Sequence, residues 1–420
     1  MEMIHSRGVT RMKAFQLAAM VALASVLGAT SYDRPSRSAG FPLSLDCTEG
    51  AKWCPAVEIQ GDPLATLNDR MLSPFRGNAD PTLRQDPVTG RLWMAYSWPN
   101  VHVLGLRKLV PSVDVHLAHS VDGGRTWQSD GPLWPSQPDT DRGGSGEAGY
   151  TVHEVANLLP VKTERGVTWF AARLDYFLPE NGGYKRMQAH SFRIRVMQAD
   201  SPKELADAPA ATLGSVGTAD GWDVDTDLSK LAAAVRDCGL WNEPALYFEN
   251  STLYLALRCM VFDGRSGKNP NEEASSLVVF ATHPSGDVRQ WKWRYVGKLA
   301  GSAEAKDLGG EGLTQVDLAR GADGRLLAIV TPEKSGASPL DADHQGCRVV
   351  EVRSIDPPAL ARDPSGKLKV RAVITASDLM PLGPGACAYD PSSATGVLMV
   401  RRHKAPGMMT LSMHATGLKP

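Results

Sequence analysis

The sequence predicts an all-β fold in which one kind of sheet repeats around a ring, a β-propeller. A strongly apolar strand recurs five times at intervals of roughly 70 to 85 residues. A turn signal precedes each of these strands, and a further β-rich segment follows each of the first four. Helical periodicity is scarce. Repeat counting therefore favours five blades of four antiparallel strands.

The recurring segments are alike in pattern, and each follows a turn dipeptide such as Thr89-Gly90 or Asp323-Gly324. In chain order they are Leu92–Ser97, Thr168–Arg173, Leu253–Arg258, Leu326–Thr331 and Val397–Arg402. The β-rich segments after them are 113–119, 190–197, 276–282 and 347–355.

The last repeat is short of strands, because only Met408–Ala415 remains for its third strand. We expect the segment around Val57-Glu58-Ile59 to supply the missing outer strand and to close the ring by joining the two ends of the chain. If there is a sixth blade, part of it is expected in the region Phe41–Leu72. The choice between five and six blades stays open at this point.

The N-terminal residues 1–31 have the order of a secretory signal peptide. Basic Arg11 and Lys13 precede an apolar run from Ala14, and small residues allow cleavage near Ala29 or Ser31. A retained membrane anchor is the alternative. We therefore expect a secreted or periplasmic protein whose residues 32–420 form one domain, with no membrane contact after cleavage.

Charge is close to balanced, with 45 Lys and Arg against 46 Asp and Glu, so no global field favours nucleic acid or an anionic membrane as partner. The six cysteines form an even set in an exported chain. Six cysteines allow 15 pairings, of which we expect Cys47–Cys54, Cys238–Cys259 and Cys347–Cys387. No C-x-x-C pair occurs, and we expect no metal site and no cofactor.

One helix is expected at Asp227–Val235, with Asp227 as its N-cap. Three Gly-, Ala- and polar-rich segments are expected to be loops that contact substrate. They are Arg142–Gly149, Ala210–Gly221 and Gly264–Glu273.

The segment Ser120-Val121-Asp122-Gly123-Gly124-Arg125-Thr126-Trp127 predicts a strand, a tight turn and a second strand. An Asp in a turn bonds its own backbone, glycines supply positive φ, and the Trp packs. The pattern Ser-x-Asp-x-Gly-x-Thr-Trp resembles the Asp-box of the sialidase and bacterial neuraminidase repeat family. That resemblance implies a β-propeller, and it implies a structural role for the box rather than a catalytic one.

Aligning the five apolar strands by their ends places Arg173, Arg258 and Arg402 at equivalent positions. The preceding strands then begin at equivalent positions with Asp80, Glu154, Glu243, Thr314 or Gln315, and Cys387. Because innermost strands line the central channel, these residues are expected to form a ring of guanidinium and carboxylate groups. Arginines grip a planar carboxylate in bidentate fashion, so an acidic sugar is one substrate that fits.

The segment from Trp241 to Arg258 resembles the sialidase segment in which a glutamate is followed by an arginine of the carboxylate-binding triad. The resemblance implies that Glu243 activates a tyrosine nucleophile and that Arg258 holds the substrate carboxylate. Tyr389 is the best-placed tyrosine for that role. The Arg-Ile-Pro motif is absent, and Arg76 stands in its place as first arginine. No family motif supports Asp80 as the catalytic aspartate.

Three functions follow as expectations. The first is an exported sialidase-like glycoside hydrolase acting on a terminal, acidic sugar of a glycan. The second is a propeller that only binds carbohydrate or protein. The third is a five-bladed furanosidase-type glycosidase, because the Asp-Pro and Glu-Pro pairs that open two inner strands resemble those of five-bladed glycosidases acting on furanosides, arabinans or fructans. That resemblance implies that Asp80, Glu154 and Glu243 carry the chemistry. Oligomeric state is left open.

Overall fold

The structure is a computed structural model. It describes residues 42–62, 75–104, 108–141, 146–164, 166–181, 192–215, 224–263, 269–334, 343–379, 384–405 and 408–420. The predicted signal peptide and parts of the three expected substrate loops lie outside these ranges. No helix among the described residues has the length and apolar character needed to cross a membrane.

Five sheets of four or more strands form the described fold, and we call them blades I to V in chain order. Blade I contains β4 (Ala79–Gln85), β5 (Leu92–Leu104), β6 (Lys108–Ser120) and β7 (Trp127–Trp134), with β2 (Ile59–Gln60) on its outer edge. Blade II contains β9 (Ala148–Thr163), β10 (Gly166–Pro179), β11 (Arg193–Ala199) and β12 (Ala210–Gly214), flanked by β8 (Gln137–Thr140) and β13 (Thr226–Asp227). Blade III contains β14 (Leu240–Glu249), β15 (Thr252–Met260), β18 (Ser276–Thr282) and β19 (Arg294–Ala300).

Blade IV contains β20 (Gly312–Arg320), β21 (Leu326–Lys334), β23 (Cys347–Ile355) and β25 (Val370–Thr375), with β1 (Leu43–Asp46), β22 (Asp343–His344) and β24 (Pro358–Leu360) attached. Blade V contains β26 (Gly385–Ala388), β27 (Leu398–Ala405), β28 (Met408–Ala415) and β3 (Phe75–Gly77). A two-stranded sheet pairs β16 (Phe262–Asp263) with β17 (Asn269–Pro270). The described helices are α1 (Ser302–Asp307) and the 3₁₀ turns Glu204–Ala206, Leu228–Lys230, Ala233–Val235, Val288–Gln290 and Ser377–Leu379.

The five innermost strands form a closed ring. Strand β4 contacts β9, β9 contacts β14, β14 contacts β20, β20 contacts β26, and β26 returns to β4. In the described part of the Phe41–Leu72 region, β1 pairs with β25 and β2 pairs with β7, so both strands lie on outer edges. The prediction of a propeller is confirmed, and the ring contains five blades rather than six.

Two N-terminal segments share the outer edge of β28 and thereby complete blade V. Strand β3 pairs in parallel with β28, with Phe75 opposite Met409. Ala56 bridges His414, and the Val57 N–H donates to the Met413 carbonyl at 2.9 Å. The Val57 segment contacts β28 as predicted, but the regular outer strand of blade V is β3.

The second strand of each blade buries both of its faces. On β15, Leu253, Leu255 and Leu257 pack in the cluster that includes residues of blade II. Tyr254 and Ala256, the alternate side chains, pack in the cluster shared with blade IV. Because successive side chains on a strand point to opposite faces, a sheet packed between two others needs apolar residues at every position. This requirement explains the uninterrupted apolar runs in the sequence.

The turn between β6 and β7 has the geometry predicted for the Ser120–Trp127 motif. Asp122 Oδ1 accepts from the backbone N–H groups of Arg125 and Thr126, at 3.0 and 2.9 Å. Gly124 has φ +88°, and the buried Trp127 indole donates to its carbonyl. The strand–turn–strand prediction is confirmed, and the motif lies at the outer part of blade I.

Two local predictions are wrong. The expected helix over 227–235 consists of two 3₁₀ turns, because Ala232 is extended and interrupts it, although the Asp227 side chain caps the first turn as predicted. The expected loop over 210–221 begins with strand β12, since Ala211 and Leu213 are buried against blade II. In both places tertiary packing overrides the local composition.

The three disulfides pair as predicted, Cys47 with Cys54, Cys238 with Cys259, and Cys347 with Cys387. The bond between Cys347 and Cys387 joins β23 of blade IV to β26 of blade V. It is therefore a covalent link between neighbouring blades.

Removing the Cys347–Cys387 bond is expected to lower the free energy of unfolding by about 4 kcal/mol, because the bond closes a loop with a sequence separation of 40 and restricts the unfolded chain. The double variant Cys347→Ser/Cys387→Ser, compared with the wild type by urea unfolding, measures this. Removal of Cys47–Cys54, with a separation of 7, is the control and should cost less. Equal losses would contradict the prediction.

Candidate active site

Each inner strand carries one β-bulge at the same level of the ring, and the residue in the bulge has a left-handed backbone. The five φ values are +46° for Asp80, +48° for Val155, +54° for Glu243, +50° for Gln315 and +49° for Ala386. Register shifts occur in all five inner strand pairs at these points. A positive φ is strained for a residue other than glycine, and such residues concentrate at functional sites.

The observed ring differs from the predicted ring at two positions. Val155 and Ala386 occupy the bulges of blades II and V, where the sequence alignment placed Glu154 and Cys387. Of the two residues considered for blade IV, Gln315 is in the bulge. The five bulge residues line a central cavity of about 20 Å³, which is room for about one water molecule.

Beyond this cavity the channel is closed by a buried polar cluster that joins all five blades. Arg84 Nη2 donates to Asp317 Oδ1 at 2.5 Å, and Asn157 Nδ2 donates to the same oxygen at 3.1 Å. The backbone N–H of Tyr389 donates to Asp317 Oδ2, and that of Leu246 donates to Asn157 Oδ1. The buried polar cluster therefore fills the channel at this depth.

Asp80 is the ring carboxylate with the most support for its ionised form. Gln315 Nε2 donates to Asp80 Oδ1 at 2.9 Å. Burial raises the pKa of Asp80, while the hydrogen bond from Ser97, the charge of Arg402 and the Gln315 bond oppose that rise. Gln315 is itself oriented by the Ala386 N–H, which donates to its Oε1 at 2.6 Å. Asp80 is thus held by three neighbouring blades.

Glu243 is the ring carboxylate best suited to hold a proton. Its side chain is buried, and its Oε2 atom has no hydrogen-bond partner among the described residues. Burial and the charges of Asp80, Glu154 and Glu333 raise the pKa of Glu243 well above its ordinary value, and Arg258 opposes them. A protonated carboxyl with an unengaged oxygen is the arrangement that a general acid needs.

Glu154 lies beside these two carboxylates, one residue before the blade II bulge. Burial and the charge of Asp80 raise the pKa of Glu154 to about 8, against a hydrogen bond from Tyr176. The three carboxylates from three consecutive blades therefore influence each other's ionisation, as closely placed like charges do. Asp80 and Glu243 occupy bulge positions of the ring, whereas Glu154 is displaced from its predicted position by one residue.

Glu154→Gln is expected to flatten the pH dependence of stability. A carboxyl whose folded pKa of about 8 exceeds its ordinary value of 4.5 keeps a proton that the unfolded chain releases. Its contribution is complete below pH 4.5 and is lost as pH rises to 8, by at most about 1.4 kcal/mol per pH unit. Urea unfolding at several pH values measures this slope. Exposed Glu49→Gln is the control, and an unchanged slope in Glu154→Gln would contradict the prediction.

Arg258 is near the ring but is occupied by carboxylates of the protein. Its Nη2 donates to Glu272 at 2.9 and 3.0 Å and pairs with Glu333 of blade IV. Gly312 leaves room for this arrangement, because a Cβ at that position would lie 2.1 Å from Glu272 Oε2. Arg258 therefore faces blade IV in an ion cluster, rather than standing free for a substrate carboxylate.

Arg402 and His344 lie next to that cluster. Burial lowers the pKa of Arg402 to about 10, although Glu333, Asp343 and Asp80 favour its charged form. Burial and the charges of Arg402 and Arg258 lower the pKa of His344 well below its ordinary value, so its imidazole is neutral. Of the three predicted arginines, the structure brings two, Arg258 and Arg402, to one side of the ring.

Arg173 lies elsewhere because the predicted register of blade II is wrong by one residue. The residue opposite Glu154 is Leu174, whereas Arg258 lies opposite Asn242 in blade III. A shift of one residue turns a side chain to the other face of the sheet. Arg173 accordingly pairs with Asp175 at 2.8 Å and stacks over Trp134 of blade I.

Two further predicted residues do not join the ring. Tyr389 is fully buried in an apolar cluster with Cys347, Cys387 and Met399, and burial raises its pKa to about 12. A phenol in that position packs in the core and does not reach the channel. Arg76 lies on β3, opposite Thr410 on the outer side of blade V, and not on an inner strand.

Sequence patterns missed several polar residues around the ring. They are Glu272, Glu333, His344, Asn157, Asp317 and Arg84. Asp317 precedes and Glu333 follows the apolar segment Leu326–Thr331 of blade IV, and neither belongs to a sequence motif. Their partners come from other blades, and no local pattern predicts a contact between blades.

No protein-family model and no curated protein sequence matches this chain. Among solved structures, the chain is similar to the catalytic domain of a family 62 α-L-arabinofuranosidase of Coprinopsis cinerea, at 11% identity and TM-score 0.42, over 86% of this chain and 94% of that one. It is similar to an arabinanase of Bacillus subtilis at 11% identity and TM-score 0.39, over 80% and 95%. It is also similar to a family 93 α-L-arabinofuranosidase of Fusarium graminearum at 14% identity and TM-score 0.38, over 77% and 74%.

Proposed function

We propose that the protein is a furanosidase-type glycoside hydrolase in which Asp80, Glu154 and Glu243 carry the chemistry. One observation supports this proposal above the others. Asp80 and Glu243 occupy bulges that line the central cavity, and Glu154 precedes the bulge of the blade between them. Their environments differ, because burial and the charges of Asp80 and Glu154 raise the pKa of Glu243, while hydrogen bonds from Ser97 and Gln315 oppose the rise that burial causes in the pKa of Asp80. Cleavage of a glycosidic bond needs two carboxyl groups with opposite protonation states, and unequal environments produce them.

Each carboxyl has a distinct role in the proposed reaction. Glu243 donates its proton to the glycosidic oxygen as the bond from that oxygen to the anomeric carbon breaks. A water molecule attacks the anomeric carbon, and its proton passes to ionised Asp80, which Ser97 and Gln315 support through hydrogen bonds. The proton on Asp80 then returns through solvent to Glu243. Glu154 modulates the ionisation of both, because its charge state acts on each neighbour.

The arginines favour a neutral sugar over an acidic one. Arg258 is neutralised by Glu272 and Glu333, and Arg173 lies between blades I and II. Tyr389, the predicted nucleophile of the sialidase-like mechanism, is in the core. Two elements expected for a sialidase, Arg173 and Tyr389, thus lie away from the ring, whereas the charge of Asp80 acts on both Glu154 and Glu243.

A panel of chromogenic substrates tests the proposal. We expect the full chain to hydrolyse an aryl α-L-arabinofuranoside, β-D-xyloside or β-D-fructofuranoside, and to leave a fluorogenic sialoside intact. Asp80→Asn should remove the turnover, while Glu49→Gln, an exposed carboxylate outside the ring, should retain it. Turnover of the sialoside alone would overturn the furanosidase assignment. Glycan binding without any turnover would instead support the non-catalytic propeller.

Export fits this function. Three disulfides are typical of proteins that fold in an oxidising compartment. A secreted or periplasmic glycosidase would meet its glycan there, and neither a cofactor nor nucleic acid enters the proposed reaction.

A further inference from the structure

A second and larger cavity lies between blades I and II. Its volume is about 550 Å³, and it shares no lining residue with the central cavity. One wall comes from the end of β7 and the start of β8, and the other from β9, β10 and β11. Its charged or titratable lining residues are Asp139, His153, Arg173, Asp175, Arg195 and Asp207.

The inner wall of this cavity is organised around one buried carboxylate. Asp175, 2% exposed, contacts His153 Nδ1 at 2.6 Å and accepts from Arg173 Nε at 2.8 Å and from Arg195 Nε at 3.2 Å. Burial by itself would raise the pKa of Asp175, but these three groups hold it far below its ordinary value. Asp175 is therefore ionised at all working pH values, and it fixes the orientation of the three side chains.

The side chains of His153, Arg173 and Arg195 each have one polar atom that makes no hydrogen bond to the described residues. Arg173 Nη1, Arg195 Nη2 and His153 Nε2 have no hydrogen-bond partner within the described ranges, whereas Arg195 Nη1 donates to the Thr212 hydroxyl. Their residues line the cavity. Three polar side chains that share one carboxylate partner thus line space that a ligand can occupy.

The other wall supplies acceptors and apolar surface. Asp139 accepts from the Thr151 hydroxyl at 2.6 Å, and Asp207 is exposed on the rim. Pro135 and Pro138 provide apolar contact. Two arginines against three aspartates leave the cavity close to neutral, so a bare anion gains little there. A ligand with many hydroxyls both donates to the carboxylates and accepts from the arginines and the imidazole.

The cavity is connected to the ring through one strand. His153 and Glu154 are consecutive on β9, and consecutive side chains of a strand point to opposite faces. Glu154 takes part in the carboxylate ring, and His153 lines the cavity on the other face. A sugar bound in the cavity would therefore lie across strand β9 from the Glu154 carboxylate.

We infer that the cavity between blades I and II is an accessory sugar-binding site, which takes a neutral unit or branch of the glycan whose bond is cleaved at the ring. This inference rests on the proposed function for the connection to the ring, but the binding itself does not. It also gives Arg173 a ligand-binding role, at a site other than the one that the sequence predicted.

Calorimetric titration tests the site separately from turnover. The full chain with Asp80→Asn is titrated with arabinose, xylose and fructose oligosaccharides of increasing length. Adding Arg195→Gln should raise the Kd for the bound oligosaccharides about tenfold, since it removes one charged donor. Adding Gln137→Ala, which lines the cavity outside the ion cluster, should raise it severalfold without disturbing Asp175. Arg353→Gln, an exposed arginine of blade IV, is the matched control and should leave it unchanged.

The outcomes separate the two proposals. No binding of any oligosaccharide, or a Kd that neither cavity variant changes, overturns the accessory site even if the wild type hydrolyses furanosides. Tighter binding of inorganic phosphate or sialyllactose, abolished by Arg195→Gln, overturns the neutral-sugar assignment. Binding that depends on Arg195 and Gln137 in a wild type without turnover supports the site and contradicts the hydrolase.

Discussion

Glu243→Gln is expected to lower kcat about a thousandfold on a substrate with a poor leaving group, while the protein remains folded. Glutamine keeps the shape of the side chain but has no proton to give to the glycosidic oxygen, and general acid catalysis contributes about a hundredfold to ten-thousandfold. Because burial and neighbouring carboxylates raise the pKa of Glu243, the wild-type rate should fall on the alkaline side as this proton is lost. The variant should lack that alkaline limb.

Leaving-group dependence distinguishes an acid from a merely structural residue. An aryl glycoside with an acidic phenol leaves without protonation, so Glu243→Gln should lose far less activity on it than on an alkyl glycoside. Glu49→Gln is the control with an exposed carboxylate. An equal loss on both substrates, or an alkaline limb that persists in Glu243→Gln, would show that Glu243 is not the acid.

Asp317→Ala is expected to cost about 3 to 5 kcal/mol of the free energy of unfolding. The change leaves Arg84, 5% exposed, as a buried charge without its carboxylate. It also removes the acceptor used by Asn157 and by the Tyr389 N–H. Since this cluster connects the inner strands of all five blades, the loss should appear as a lower midpoint in urea for the whole chain.

A double replacement tests whether the cost comes from the orphaned charge. Arg84→Met combined with Asp317→Leu removes both charges and should recover much of the stability, as apolar replacements of buried pairs do. Glu273→Gln, which breaks the exposed pair with Lys306, is the control and should have no detectable effect. A double variant as unstable as Asp317→Ala would contradict this account.

Local patterns predicted most of the blade architecture. The strands Ser276–Thr282, Cys347–Ile355 and Met408–Ala415 have the predicted bounds, and all three disulfides pair as predicted. These features depend on alternation, turn residues and short separations along the chain, which are visible in sequence. The closing strand β3 was missed because it has three residues and depends on pairing with the other end of the chain.

Local patterns did not predict which side chains come together at the candidate site. Alignment of the apolar repeats predicts the positions of Asp80 and Glu243 on inner strands, and both residues lie in the bulges. No sequence pattern predicts the bulge that places Val155, rather than Glu154, at the ring position. In the resulting register Arg173 lies on the opposite face of the sheet. Tyr389 likewise looked well placed along the chain but lies in the core.

The sequence by itself predicted a repeat of four-stranded sheets that favoured five blades over six, the expected cysteine pairs and the carboxylates near the start of three inner strands. The tertiary structure decided which side chains meet. It separated Arg173 from Arg258, occupied Arg258 with Glu272 and Glu333, and built a cavity around Asp175. The physical reason is that a strand can be predicted from the alternation of side chains within a few neighbouring residues. Contacts between blades depend on bulges and on strand register, and a shift of one residue turns a side chain to the opposite face of the sheet.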